Sequence, residues 1–289
     1  MSSRRRIKHV ASHVVGTSTS TDQERPELVP SPSLRQPFLS SEWADAHIRW
    51  LAQKDALSQD IYLTGAHGPL RRWLALRYCA VAQREVEYVA LTHDTTESDL
   101  KQRREFIAGG TIRFVDQPVV SAALHGRVLI LEGLEKVERN VLPVLNNLLE
   151  NREMALEDGR FLCAPDRFDA LARDGSSAVT GAGRRLLRVH PRFRVIAIGV
   201  PVPPFAGNPL DPPLRSRFQA RWVQRVPSRA LHAALRRYLP RSGDGDGAAR
   251  RRLLAFRESL CALGDASGGA ADADAQSRVH RNFAIPSAA

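Results

Sequence analysis

Cysteine is scarce in this chain: Cys79, Cys163 and Cys261 are an odd three with no Cys-x-x-Cys pair. That spacing offers no disulfide scaffold and fits a reducing compartment. Aromatic residues make up only 6%, so few flat faces are available for stacking bases. No apolar run approaches the roughly 18–20 residues that a membrane-crossing helix needs. Acidic residues are missing altogether before Asp22, in a start that carries Arg4, Arg5, Arg6 and Lys8. The nine histidines show neither His-Glu-x-x-His nor a paired Cys spacing, so zinc is not expected.

What is present describes a globular protein. The chain has 289 residues, 43% hydrophobic and 25% charged, which fits one large domain or two small ones. Its 42 Lys+Arg against 31 Asp+Glu give a net charge of +11, which attracts polyanions. Beyond Arg4–Arg6, however, arginine is spread along the chain as far as Arg281 instead of gathering in one stretch. Nucleic acid is therefore not the expected partner. The Arg- and Ser-rich, acid-poor start resembles a mitochondrial transit segment and reads equally well as a flexible basic tail. Mitochondrial placement is the expectation, cytoplasmic the alternative. The composition divides the chain into a basic segment 1–25, a core 26–226, a segment of helical patterns 227–264 and an Ala/Asp/Gly/Ser-rich tail 265–289.

The core alternates strands and helices. Pro26, Pro30, Pro32 and Pro37 make an extended lead-in. Ser40 or Ser41 caps a helix running to about Leu57. Ile61-Tyr62-Leu63 is a short strand, followed by a turn and a helix from Leu70 to about Gln83. Strands are expected at 86–91, 128–131, 193–198 and 222–226, with helices at 117–125, 137–151, 228–238 and 248–263. Val128-Leu129-Ile130-Leu131 is continuously apolar, as a strand covered on both faces of a parallel sheet should be. Asp158-Gly159 marks a tight hairpin. Thr96 followed by Glu97 and Asp99 reads as a helix cap with acidic first-turn residues. Residues 165–187 look like a polar excursion, and 242–247 like a flexible linker. The expected fold is α/β, a parallel sheet covered by helices.

In such a sheet ligands bind beyond the carboxyl ends of the strands, and a helix start there favours anions. Gly65-Ala66-His67-Gly68-Pro69-Leu70-Arg71-Arg72 occupies the first strand-to-helix connection. Against the phosphate-loop pattern G-x-x-x-x-G-K-[ST], Gly65 matches the first glycine. Leu70 replaces the second glycine, Arg71 the lysine and Arg72 the magnesium-binding hydroxyl.

Longer blocks carry a specific resemblance. Gly68–Arg72, Arg84–Tyr88, Asp94–Glu105, Leu131–Lys136, Glu138–Met154 and Gly207–Phe218 closely resemble the first ATPase module of the von Willebrand factor A domain-containing protein 8 family. The resemblance runs from about Glu27 to Phe218. It implies an AAA+ P-loop core of the dynein-related, midasin-like branch, with a five-stranded parallel sheet and a small helical lid. It also implies ATP or ADP with Mg2+ at the loop, and further AAA+ modules or subunits in a ring. The chain is too short to carry that family's later ATPase modules or its metal-dependent adhesion domain.

The resemblance assigns roles residue by residue. Gly65, Ala66, His67, Gly68, Pro69, Leu70, Arg71 and Arg72 would line the nucleotide. Arg71 can pair with phosphate oxygens, whereas Arg72 has no acceptor atom for a metal. Glu132 would hold magnesium, and Gly133 stands where the water-activating carboxylate is expected. Glu135 is a candidate substitute, although an exposed helix-start acid favoured by the dipole is the preferred reading of it. Gly199-Val200-Pro201 lacks the polar phosphate sensor. Arg217 matches the arginine that serves an adjacent module. Several lost stabilising groups, each worth about 3–4 kcal/mol of barrier, would leave little turnover.

Overall fold

The computed structural model describes residues 25–31, 41–107, 110–173, 185–238 and scattered positions between 251 and 259. The transit-like start, the linker at 242–247, most of the expected helix at 248–263 and the tail from 265 lie outside the described residues. In chain order a 3-10 turn at Pro26–Leu28, within the lead-in expected to be extended, is followed by α1 (Glu42–Ala56), β1 (Ile61–Thr64), α2 (Leu70–Ala82), β2 (Val86–Ala90), α3 (Glu97–Leu100), β3 (Gln102–Ile107), β4 (Thr111–Asp116), α4 (Pro118–His125) and β5 (Val128–Glu132). They continue with α5 (Pro143–Glu150), β6 (Met154–Ala155), β7 (Phe161–Cys163), α6 (Pro165–Arg173), β8 (Leu186–Arg188), β9 (Arg194–Gly199), α7 (Pro212–Ser216), β10 (Gln219–Trp222) and α8 (Ser228–Tyr238).

The fold is α/β. Five parallel strands in the order β10-β1-β9-β5-β2 form the main sheet. Strand geometry sends alternate side chains to opposite faces, and the core divides accordingly. Tyr62, Leu129, Leu131, Val195 and Ala197 pack with Val119, Val120, Leu145, Leu148 and Leu214 from α4, α5 and α7. Ile61, Leu63, Val128, Ile130, Ile196 and Ile198 pack on the other face with Ile48, Leu51, Leu74 and Tyr78 from α1 and α2, and with Ala234 of α8. Each fully buried aliphatic side chain contributes about 1.5–3 kcal/mol.

Several boundaries follow the sequence. The Ser41 hydroxyl accepts the Ala44 N–H at 3.4 Å and caps α1. Thr96 and Asp99 form a reciprocal capping box on α3, with the Thr96 N–H donating to Asp99 at 3.0 Å. The Asp158-Gly159 turn joins the antiparallel β6 and β7.

Others depart from it. The helix expected over 137–151 is confined to Pro143–Glu150, because a proline is tolerated in a first turn and breaks a helix interior. The last sheet strand is Gln219–Trp222 instead of 222–226, aligned on Ile61–Thr64. Val223 and Val226 supplied the apolar signal, but they follow the last paired residue, Trp222, and pack into the core on the α1–α2 face of the sheet. The segment read as a polar excursion holds α6 and β8. The antiparallel β3–β4 hairpin was not expected. Only Gln102 of β3 is buried, so the strand shows no apolar alternation to read.

Charged groups tie the amino edge of the sheet. Asp55 of α1 accepts from Arg84 at 2.7 Å and from the Tyr78 hydroxyl. Asp60 accepts the Val195 N–H at 2.8 Å and pairs with Arg152 at 2.8 Å. Nearer the start of α1, Arg221 of β10 donates to His47 Nδ1 at 2.8 Å and lies 5.1 Å from the Trp50 ring centre. Burial, and after it the Arg221 charge, push His47 down from 6.5 to about 4.

A pH dependence follows. Above pH 6.5 the imidazole is neutral in both folded and unfolded chains. Between pH 6.5 and about 4 only the unfolded chain takes up the proton, so stability falls as the pH falls. The loss over that window is roughly 3 kcal/mol. Urea unfolding from pH 7 to 4 should show a shallower acid-side decline for His47→Gln than for the parent. Equal slopes would remove His47 as the cause.

Candidate functional site

All five main strands end on the same edge, which sets the place of the site. In register, Thr64 lies between Gly199 and Trp222, and Glu132 between Ile198 and Ala90. The β1–α2 connection crosses this edge. Gly65 has φ +154°, and a Cβ there would come within 2.7 Å of the Val223 carbonyl oxygen. Only glycine fits that approach. Gly68 has φ +132° with open space around it. Ala66 is half-buried, and the exposed His67 sets its ring edge-on to Phe205 at 4.5 Å. Pro69 caps α2, and its carbonyl accepts the Trp73 N–H at 2.9 Å. Leu70 opens the helix and packs partly against the α1–α2 side of the core.

Arg71 points inward. It is 6% exposed, and its Nη1 donates to the carbonyls of Gly65 at 2.5 Å and Gly199 at 2.6 Å. The guanidinium thus fastens the loop to the end of β9. Its Nε is buried without a hydrogen-bond partner among the described residues. Burial pulls its pKa below the ordinary value, while Tyr62, Glu135 and Glu132 act in the opposite direction.

Glu135 lies on the same inner side. It too is 6% exposed, which corrects the reading of an exposed helix-start acid. Its Oε2 accepts the Val200 N–H at 3.4 Å, and the Tyr62 hydroxyl donates to the Val200 carbonyl at 3.4 Å. Both press on Gly199, where a Cβ would meet the Tyr62 oxygen at 2.6 Å and the Glu135 Oε2 at 2.8 Å. Burial first, then Glu135, raises the Tyr62 phenol above its ordinary range. Tyr62 was legible only as a strand residue; its part in the site follows from the closeness of β1 to β9.

Arg72 points the other way, with 42% of its side chain exposed. Its Nε is 3.5 Å from Glu132 Oε2, and its Nη1 donates to the Tyr88 hydroxyl at 3.4 Å. That hydroxyl in turn donates to Glu132 Oε2. Sequence reasoning missed Tyr88, whose place in a strand gave no sign of this role. Magnesium, which the resemblance implies, does not fit this donor set. The hydroxyl ligand is an arginine, and the carboxylate oxygen already accepts from the Tyr88 hydroxyl and pairs with the Arg72 guanidinium. Among the described residues no cluster of three His, Cys, Asp or Glu is placed to hold a metal.

Two further positions complete the edge. Gly133 has φ +94°, and a Cβ there would meet the Leu91 carbonyl oxygen at 2.9 Å. Arg217, just after α7, is 18% exposed in its side chain and is held by the Pro213 carbonyl and by Glu150 at the end of α5. It is engaged within its own chain.

A sequence profile of the AAA domain, dynein-related subfamily, matches residues 60–218. Mouse (Mus musculus) von Willebrand factor A domain-containing protein 8 is 57% identical over 207 residues, which cover 71% of this chain and 10% of the relative. The chain thus matches about a tenth of the length of that curated relative. A solved structure from Cytophaga hutchinsonii, provisionally assigned as an ATPase, is 12% identical with a TM-score of 0.48, and the match covers 82% of this chain and 57% of that one. That likeness is too loose to bear on function.

The loop geometry predicts a stability effect. Arg71→Met keeps most of the side-chain volume but removes both carbonyl bonds. Hydrogen bonds to charged groups contribute about 1.5–3 kcal/mol each, so chemical unfolding should show a loss of about 3 kcal/mol or more. A loss under about 1 kcal/mol would mean that the loop holds its place without this guanidinium.

Proposed function

This chain belongs to the dynein-related subfamily of AAA domains, and from that premise we propose that it binds ATP or ADP at the β1–α2 loop and converts binding into conformational work. The observation that carries the reading is the loop itself. Gly65 takes a conformation that only glycine tolerates, at the carboxyl edge of a parallel sheet, with α2 starting behind it and Arg71 and Arg72 on its first turn. Helix-start N–H groups and two guanidinium groups are a donor set for phosphate oxygens. Residues 26–226 form the nucleotide-binding core in this reading, and α8 begins a lid.

Hydrolysis in this pocket is weak. Gly133 supplies no carboxylate to activate water. Glu135, the candidate substitute, is buried against the Val200 N–H instead of facing solvent. Gly199-Val200-Pro201 offers no polar side chain to a terminal phosphate. Each such group is worth about 100- to 1,000-fold in rate. Arg217 would serve a neighbouring module's nucleotide after release from Glu150, which couples the pocket next door to this chain's own packing. Ring assembly with further AAA modules and mitochondrial placement belong to the same proposal.

A second reading has one observation in its favour: Nη1 of Arg71 is already engaged by two carbonyls. A scaffold that takes only protein partners would keep it so. Titration with a fluorescent ATP analogue separates the two. Saturable micromolar binding, weakened about tenfold (1.4 kcal/mol) by Arg72→Ala, supports the nucleotide reading. Absence of saturable binding below millimolar nucleotide supports the scaffold.

The Gly133 backbone gives a second prediction. Gly133→Glu returns the missing carboxylate by type, but it forces a side chain onto a φ of +94° and against Leu91. Steady-state phosphate release should therefore stay at the parent's level, and the thermal midpoint should fall. A rise in turnover would show that the loss of this carboxylate alone limits the chemistry.

A further inference from the structure

We infer that this pocket takes the phosphates of its nucleotide without a divalent cation, the Arg72 guanidinium standing where the metal would. The inference rests on the nucleotide reading above and narrows it to a metal-free ligand. Magnesium needs oxygen ligands and a carboxylate free to receive it. Here the position that should supply a hydroxyl supplies a permanent cation with five N–H donors and no acceptor. That cation already lies 3.5 Å from the carboxylate that should face the metal.

The Tyr88 hydroxyl closes the arrangement by donating to Glu132 while accepting from Arg72 Nη1 at 3.4 Å. Three side chains from α2, β2 and β5 thus hold one positive charge at the carboxyl edge of the sheet. A dication brought to Glu132 would face that charge at close range and would have to displace it. An anionic phosphate meets the opposite situation. Arg72 is partly exposed, two of its nitrogens are placed by Glu132 and Tyr88, and a guanidinium can bond phosphate oxygens in pairs.

The test is equilibrium binding of a fluorescent ATP analogue to the full chain, in excess EDTA and in millimolar magnesium. The parent should give dissociation constants that agree within about twofold. Arg72→Thr removes the resident charge and returns a hydroxyl, so its binding should weaken at least about tenfold in EDTA and recover with magnesium. Arg72→Lys keeps the charge and should remain indifferent to the metal. Circular dichroism checks that each variant is folded, which a partly exposed side chain should allow. Tenfold tighter binding of the parent with magnesium would overturn the inference and leave the nucleotide reading standing. No saturable binding in either condition would overturn both.

Discussion

A guanidinium cut off from water must find acceptors within the protein, because burying an unpaired charge is far costlier than burying a paired one. Arg71 meets that demand by bonding the carbonyl of Gly65 at the end of β1 and that of Gly199 at the end of β9. These two strands are neighbours in the sheet, so one side chain closes the crevice between them and sets the height of the loop above it. Around it the backbone is pressed close. Gly65 lies against Val223, and Gly199 lies under Tyr62 and Glu135. Either position would have to shift to admit a single methyl group. The loop is thus held by packing and hydrogen bonds internal to the chain.

The remaining groups at this edge form a second layer, governed by charge instead of space. Glu132 receives Arg72 and Tyr88 from the adjacent helix and strand. Negative charge is matched locally before any ligand arrives. On the nucleotide reading, a site so balanced would take an anion that shares Arg72 more readily than a cation that competes with it. The same economy of pairing recurs at Arg217 and Glu150, and at the amino edge with Asp55, Arg84, Asp60 and Arg152. A chain with a net charge of +11 thereby gives many of its arginines short-range structural work.

The architecture was largely legible in the sequence because strand periodicity is a local property. Ile61 and Leu63 on one face and Tyr62 on the other follow from alternation alone, as do Leu129 and Leu131 against Val128 and Ile130. Where that signal was weak, the expectation failed. β3 is almost wholly exposed, and β10 is an edge strand of half-buried residues beside a more apolar stretch. Pro143 within an expected helix was a local sign that the structure obeys.

The candidate site divides in the same way. The sequence by itself determined the position of the loop, the exchange of lysine and hydroxyl for Arg71 and Arg72, and the glycine in place of a carboxylate, since each is a matter of residue type at a fixed spacing. Only the tertiary structure decided that Arg71 turns inward, that Arg72 turns to Glu132, that Glu135 is buried and that Tyr62 and Tyr88 take part. Arg71 and Gly199 are 128 residues apart in the chain, and Arg72 and Glu132 likewise come from separate elements. The direction of a long side chain depends on which acceptors the folded sheet brings near it, and no spacing along the chain encodes that.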